Sequence, residues 1–401
     1  MIDVESVRAQ FPSLRAGTAH FDGPGGSQTP EPVARAIHDA LVLPIANRGS
    51  VTPAERNAEQ LVQGARAAMA DLLGADPRGI VFGRSMTQLT FDLARTLAAS
   101  WGPGDEIVVS RLDHDANVRP WVIHAERAGA TVRFADFEPD SGELDVEQVR
   151  AVVGERTRLV ALTGASNLIG TRPDLPAIAE VVHAAGALFY VDGVHLTAHA
   201  GVDVAALRAD FYACSPYKFF GPHCGVVAAD PALLETLHPD KLLPSSDAVP
   251  ERFELGTLPY ELLAGTTAAV DFIAGLTPMA GGRRERVLAA MESAEAHERS
   301  LSEYVERALA GLDGVTVHSR ARRRTPTLLM TFAGRSAQDA YRHLADVGVN
   351  APAGTFYAYE PARRLGLEAG GLRVGISAYN DRSDVDRLLT GLGDFLGGSP
   401  R

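Results

Sequence analysis

The sequence predicts an α/β protein, with a mostly parallel sheet covered by helices on both faces and a smaller α+β part after it. Three observations predict this. The chain has 401 residues, room for two domains of ordinary size. From about residue 30 to 230, short continuous apolar runs alternate with helical patterns, as strands buried on both faces require. After about 260 the texture changes to long helical patterns followed by mixed strands and helices. A hydrophobic share of 46% with 22% charged residues is ordinary for a folded globular chain.

In chain order, Pro30-Glu31-Pro32 opens a helix with Val33, Ile37 and Leu41 at helical spacing, and proline suits a first turn. Residues 58–73 are rich in Ala, Leu and Met and end at Gly74, which suits the position just past a helix end. Strands are expected at 79–82, 106–110, 130–134, 158–162, 188–192, 210–214 and 225–228. Helical patterns at 87–99, 118–128, 145–153 and 174–185 separate most of them. The later part reads as helices at 259–275 and 283–311, strands at 314–318 and 326–332, a helix at 336–347, a strand at 372–377 and a helix at 381–396. The expected organisation is an N-terminal segment, 1–20, packing on the smaller domain, a large domain, 21–260, and a small domain, 261–401. The run Arg320, Arg322, Arg323, Arg324 reads as a solvated loop.

Composition removes several classes of function. A net charge of -12 argues against a nucleic-acid partner, whose phosphates call for excess Lys and Arg. Two cysteines, Cys214 and Cys224, build neither a disulfide framework nor a four-thiolate metal site. The start Met1-Ile2-Asp3-Val4-Glu5 is acidic and lacks the pattern of a signal peptide. No apolar run approaches the ~20 residues of a membrane span. A cytoplasmic protein is expected.

Of 38 basic residues only two are lysine, Lys218 and Lys241. An amine can lose its proton and form a Schiff base, and guanidinium does neither in a protein. Lys241 lies in a Pro- and Ser-rich loop and reads as a surface residue. Lys218 follows the strand after the one ending at Asp192. A carboxylate at a buried strand end needs a cation. A pyridinium nitrogen supplies one, and the neighbouring lysine then holds the cofactor's aldehyde. On spacing alone the simpler reading stands beside it, with Asp192 capping a turn and Lys218 pairing with it.

Further segments decide between these. Tyr190-Val191-Asp192-Gly193-Val194-His195 and Asp210-Phe211-Tyr212-Ala213-Cys214-Ser215-Pro216-Tyr217-Lys218-Phe219-Phe220-Gly221-Pro222 resemble the pyridoxal-phosphate enzymes of the class V aminotransferase family. More narrowly they are similar to its cysteine desulfurase-like branch. Matches continue at Phe82-Gly83-Arg84-Ser85-Met86-Thr87-Gln88, Asp113-His114-Asp115-Ala116-Asn117-Val118-Arg119-Pro120-Trp121, Ser166-Asn167-Leu168-Ile169-Gly170-Thr171, Phe253-Glu254-Leu255-Gly256-Thr257 and Leu372-Arg373-Val374-Gly375-Ile376-Ser377. The resemblance implies a fold type I enzyme with a seven-stranded sheet, pyridoxal 5'-phosphate as cofactor, and a homodimer with shared sites acting on a small amino acid.

The resemblance also implies roles. Lys218 holds the cofactor covalently and moves the α-proton. Asp192 pairs with the ring nitrogen, and His114 stacks on the ring. Ser85, Met86 and Thr87 at a helix start, with Ser215 and Tyr217, take the phosphate. Thr257 reaches the phosphate of the partner subunit. His195, where desulfurases usually have glutamine, stands near the phenolic oxygen. Asn167 contacts that oxygen or the substrate carboxylate, or else only forms an Asx turn before Gly170. Arg373 clamps the substrate carboxylate with its planar fork.

The resemblance breaks at one place. A cysteine desulfurase carries a nucleophilic thiolate on a mobile loop, and the corresponding segment 350–359, Asn-Ala-Pro-Ala-Gly-Thr-Phe-Tyr-Ala-Tyr, contains no cysteine. Tyr357 and Tyr359 are expected to fill that space. The favoured reading is therefore a C–S lyase acting by β-elimination on a cysteine-like substrate, with an aminotransferase or an epimerase as alternatives. Ser215-Pro216-Tyr217-Lys218 formally matches the S-x-x-K of serine acyl-enzymes but ends a strand, and no K-T-G follows. His195 and His199 lack a third metal ligand, so no metal is expected. Gly23-Pro24-Gly25-Gly26 lacks the acidic partner of a dinucleotide fingerprint and reads as a tight turn at the site mouth. A non-catalytic scaffold would not need Lys218, Asp192 and Arg373 together.

Overall fold

The computed structural model describes residues 2–397. After a two-residue strand β1 (Ala19–His20), seven strands form the large sheet: β2 (Ile80–Gly83), β3 (Glu106–Ser110), β4 (Thr131–Ala135), β5 (Thr157–Thr163), β6 (Leu188–Asp192), β7 (Phe211–Cys214) and β8 (Gly225–Ala229). Their order is β2-β8-β7-β6-β5-β3-β4. All seven expected strands are present within a residue or two. The neighbours from β7 to β4 pair in parallel, whereas β8 runs antiparallel to both β7 and β2. The short link from β7 to β8, residues 215–224, explains this, since a parallel crossover takes a dozen residues or more.

The central strands bury both faces, while the edge strand β4 exposes Thr131 and Arg133. In β6, Phe189 and Val191 join one apolar cluster and Tyr190 joins the other. Tyr212 and Cys214 of β7 point to the first cluster, Phe211 and Ala213 to the second. The helix expected at 58–73 starts earlier, as Pro53–Leu73. Thr52 accepts from the Glu55 amide, Glu55 reaches back, and Pro53 occupies the first turn.

A second sheet is built from β9 (Val315–Val317), β10 (Thr327–Phe332), β12 (Ala353–Gly354) and β13 (Gly371–Gly375), in the order β12-β13-β10-β9, and β11 (Val349–Asn350) pairs in parallel with β1. The boundary expected at 260/261 does not coincide with a packing boundary. Helix Tyr260–Ala274 gives Leu263, Val270 and Ile273 to the large cluster. Helix Arg283–Leu309 gives Val287 and Met291 to that cluster and Leu301, Val305 and Leu309 to the core of the second sheet. The first residues also touch both parts. Val7 and Phe11 lie in the large cluster, while the Arg8 guanidinium donates to the Tyr379 carbonyl and to Asp384, both at 2.6 Å. The arginine run is not uniformly solvated. Arg322 is exposed, but Arg324 is held by Glu306 at 2.5 Å. Among the described residues no helix is long and apolar enough to cross a membrane.

One buried ion pair fastens the loop that follows β8. Arg66 donates to both oxygens of Glu254, at 2.9 and 2.8 Å, and to the Ile80 carbonyl, while the Phe82 amide donates to Glu254 at 2.9 Å. Removing one member leaves a buried charge unpaired. Glu254→Gln is therefore expected to lower the unfolding free energy by about 3 kcal/mol in urea titrations, and replacing both residues by methionine should recover much of the loss.

Candidate active site

The strand order doubles back after β4. The chain leaves β3 for the edge strand β4 and then returns to β3's other side as β5. In open sheets of this kind ligands bind beyond the carboxyl ends near such a reversal. A cavity of about 630 Å³ lies there, and eleven of the twelve expected site residues line it: Ser85, Met86, Thr87, His114, Asn167, Asp192, His195, Ser215, Tyr217, Lys218 and Arg373. The twelfth, Thr257, is exposed on a turn away from this cavity.

Each side chain is aimed by the element that ends beside it. Asp192 closes β6, is 5% exposed, and accepts from the Val194 amide at 2.9 Å. Burial pushes its pKa up to about 6, against the favourable pull of that bond and of Lys218. Lys218 ends the turn after β7, and its ammonium donates to the carbonyls of Pro24 and, at 3.0 Å, Gly25. Desolvation, and then the nearby Arg373, bring the Lys218 pKa down to about 7, with Asp22 and Asp192 opposing. The 23–26 segment is thus a turn at the site, as expected, and its carbonyls hold the lysine.

His114 follows β3 and accepts from the Ala116 amide on Nδ1 at 3.0 Å, so its proton sits on Nε2. Burial drops its pKa to about 4. Behind it stands a buried chain not anticipated from sequence. Ser110 and Asn117 donate to Asp113, the latter at 2.6 Å, and the Trp121 indole donates to Asn117 at 3.0 Å. Burial raises the Asp113 pKa to about 8.

Arg373, 2% exposed, reaches the cavity from β13. It donates to Asp22 at 2.7 Å and to the Asn167 carbonyl at 3.1 Å, and its guanidinium lies 3.7 Å from the Phe356 ring centroid. Phe356 also receives the Asn167 amide on its carbonyl at 3.0 Å. Asp22 and Phe356 were missed in the sequence, though Asp22 directly precedes the glycine-rich turn and Phe356 adjoins Tyr357. Tyr357 lines the cavity 5.7 Å from the His114 ring. Tyr359 does not line it, contrary to expectation, and faces an outer groove.

His195 and His199 do not form a metal pair. Their rings meet edge to face at 4.8 Å, with His195 Nε2 2.9 Å from the hydroxyls of Thr325 and Thr327, and His199 Nδ1 2.8 Å from Glu298. The Lys218 amine is bonded to turn carbonyls rather than to the Ser215 hydroxyl, which leaves the S-x-x-K reading without its geometry.

Three buried polar atoms of cavity residues have no partner: Asn167 Oδ1, His195 Nδ1 and Arg373 Nε. Buried polar atoms are normally satisfied, so three orphans in one cavity mark groups that await a ligand. At the other end, the helix Met86–Ala98 begins at the wall, with the Ser85 hydroxyl accepting from Gln88. A Cβ at Gly225 would fall 2.2 Å from the Ser85 carbonyl carbon, so glycine is required for β8 to pass this helix start. Amides at a helix start suit a phosphate.

The model of the family described as aminotransferase class-V matches residues 19–388. The chain belongs to that family. An uncharacterized protein of Mycobacterium tuberculosis is 33% identical over 97% of this chain and 98% of its own. A probable cysteine desulfurase of Pseudomonas aeruginosa is 31% identical over 96% of both chains. Among solved structures, the cysteine desulfurase CsdA of Escherichia coli superposes with a TM-score of 0.88 at 30% identity, over 99% of both chains. A C-DES variant, solved with glycine covalently linked to its PLP cofactor, superposes with a TM-score of 0.82 at 21% identity over 96% of this chain and 99% of its own. The protein is thus a class V, cysteine desulfurase-like enzyme of fold type I, dependent on pyridoxal 5'-phosphate. The orphaned polar atoms, the helix start and the single lysine in the cavity fit that cofactor.

A lysine with its pKa near 7 is about half deprotonated at neutral pH. The rate at which the apoprotein captures pyridoxal phosphate, followed by absorbance, should therefore rise with pH through a midpoint near 7 and then level off. An ordinary lysine would keep the rate climbing to about pH 10.

Proposed function

We propose that the enzyme is a C–S lyase that eliminates sulfide or a thiol from a cysteine-like amino acid without a protein persulfide. One observation carries this reading: the site has no accessible thiol. Cys214 and Cys224 are both buried. Burial raises the Cys214 thiol well above its ordinary value and the Cys224 thiol to about 11. A sulfur-accepting cysteine needs the reverse, a partly exposed thiolate of low pKa. The wall where a loop thiol would stand is made of Phe356 and Tyr357 instead.

In this reading Lys218 anchors the cofactor and, with its lowered proton affinity, carries the substrate α-proton on Nζ. Asp192 faces the ring nitrogen, where its carboxylate gains the cation that burial calls for. His114 would cover the ring face, and His195 Nδ1 is the free donor for the ring oxygen, with Asn167 beside the ring oxygen or the substrate carboxylate. Ser85, Met86, Thr87, Ser215 and Tyr217 receive the phosphate. Arg373 offers its orphaned Nε–H to the substrate α-carboxylate. Thr257, exposed in one chain, is assigned to the phosphate of a second copy in a homodimer. When bound, pyridoxal phosphate supplies the electron sink that makes the α-proton removable. Loss of that proton and of the β-sulfur, followed by hydrolysis, gives pyruvate and ammonium with sulfide or thiol. No oxidant and no protein thiol enters the balance.

Incubation with cysteine should yield pyruvate with sulfide. Alanine without free sulfide would mean desulfuration and overturn the reading, and a keto acid appearing only with an added acceptor would mean transamination. The double variant Cys214→Ala, Cys224→Ser should keep most of its activity, with a melting temperature lowered only modestly, as for about 1 kcal/mol of lost packing.

Arg373→Ala should raise KM on the order of tenfold or more while the absorbance of the bound cofactor is unchanged, the loss of a charged contact to the α-carboxylate. Arg373→Lys should also raise KM, because ammonium lacks the fork. An unaltered KM in both would remove the clamp.

A further inference from the structure

We propose that Asp22 is a specificity-determining residue that excludes substrates with an anionic side chain. The proposal rests on the reading that Arg373 takes the α-carboxylate. Asp22 lines the same cavity as Lys218 and Arg373, a third exposed, and its Oδ1 already accepts from Arg373 at 2.7 Å. The clamp thus holds one carboxylate of the protein before any substrate arrives. Its Nε–H has no partner, and the α-carboxylate is the one group assigned to it.

No cation is left for a third. The cavity's remaining guanidinium, Arg119, is engaged by Asp115 at 2.8 Å and by Glu360 at 3.6 Å. Lys218 is committed to the carbonyls of Pro24 and Gly25, and in the loaded enzyme to the cofactor. The other charged groups on the wall, Asp115 and Asp192, are themselves carboxylates. A second negative charge on the substrate would therefore meet Asp22 with nothing to offset the repulsion.

The placement of Asp22 is built into the backbone. The Gly25 and Gly26 amides return to the Asp22 carbonyl at 2.9 and 3.0 Å. A Cβ at Gly25 would lie 2.4 Å from the Asp22 carboxylate, and one at Gly375 would lie 2.1 Å from Pro24. Both glycines are thus needed for the turn to seat against β13 and bring Asp22 onto Arg373.

The test uses two substrates of one shape that differ in charge: S-carboxymethylcysteine, which is anionic, and S-carbamoylmethylcysteine, which is neutral. The ratio of kcat/KM for the anionic to the neutral compound should rise at least about tenfold in the Asp22→Asn holoenzyme, as expected for removing a like charge at close range. Asp22→Glu should keep the wild-type ratio, and Asp22→Ser should behave like Asp22→Asn should the amide variant fold poorly. An unchanged ratio in both neutral variants overturns the proposal. If the wild type turns over neither compound, the lyase reading is judged by its products from cysteine, and the proposal is read from binding instead. Calorimetric titration of the holoenzyme with succinate and succinamate should then show the succinate-to-succinamate affinity ratio rising about tenfold in Asp22→Asn. Equal ratios in wild type and variant overturn it by that route as well.

Discussion

Two cations, Lys218 and Arg373, share one cavity wall, and the rest of the molecule is arranged around keeping them there. A buried charge without partners costs more than most folds can bear. The answer comes from three distant parts of the chain. The 22–26 turn gives Lys218 two carbonyls and Arg373 a carboxylate. The loop after β5 gives Arg373 the Asn167 carbonyl, and the loop before β13 gives it the face of Phe356. The site therefore forms only when the N-terminal segment, the large sheet and the small sheet are docked together. The pairing of β1 with β11, and the bridge between Asp22 and Gly375, hold that docking in register.

The carboxyl ends of the central strands pose the opposite problem. Asp113 and Asp192 are both buried there; burial raises the proton affinity of each, and the Asp192 charge raises that of Asp113 further. Two carboxylates in one dry pocket do not both ionise at neutral pH. Asp113, pushed up to about 8, is the more proton-binding of the two, and it is tied into the buried chain through Asn117 to Trp121 just behind His114 in sequence. Asp192, at about 6, is left as the ionised group, open to a cation from the cavity side. One acid supports the wall and the other faces the ligand.

Much of this was legible in the sequence because strand ends announce themselves. A polar residue that follows a continuous apolar run, as Asp192 and Lys218 do, has to be satisfied at the sheet's edge, and the rarity of lysine sharpened the second choice. The large-sheet strands were legible for the same reason, since strands buried on both faces read as unbroken apolar runs. What escaped were contacts between residues far apart in the chain. The pairing of Asp22 with Arg373 spans almost the whole sequence, and nothing local distinguishes Asp22 from a turn residue. The domain boundary escaped too, because helix Arg283–Leu309 is continuous in pattern while its two halves pack in different cores. Tyr359 was misjudged because two tyrosines two apart look equivalent in a loop, and only the backbone decides that Tyr357, though largely exposed, borders the cavity while Tyr359 does not.

That backbone bears on the chemistry as well. Phe356 and Tyr357 both lie in the left-handed region, at φ of 54° and 56°, which costs a non-glycine residue about 1–3 kcal/mol. The cost is offset by ties on both sides: the Asn167 amide to the Phe356 carbonyl, the Asp115 amide to the Tyr357 carbonyl at 2.8 Å, and Arg373 against the Phe356 ring. A loop that delivers sulfur must leave the substrate after taking it, and so cannot be bound into the wall. Here the loop is part of the wall, fastened to three of the residues that line the cavity. The absence of cysteine and the fastening of the loop both suit the proposed chemistry, in which the sulfur would leave by diffusion rather than on a mobile thiol.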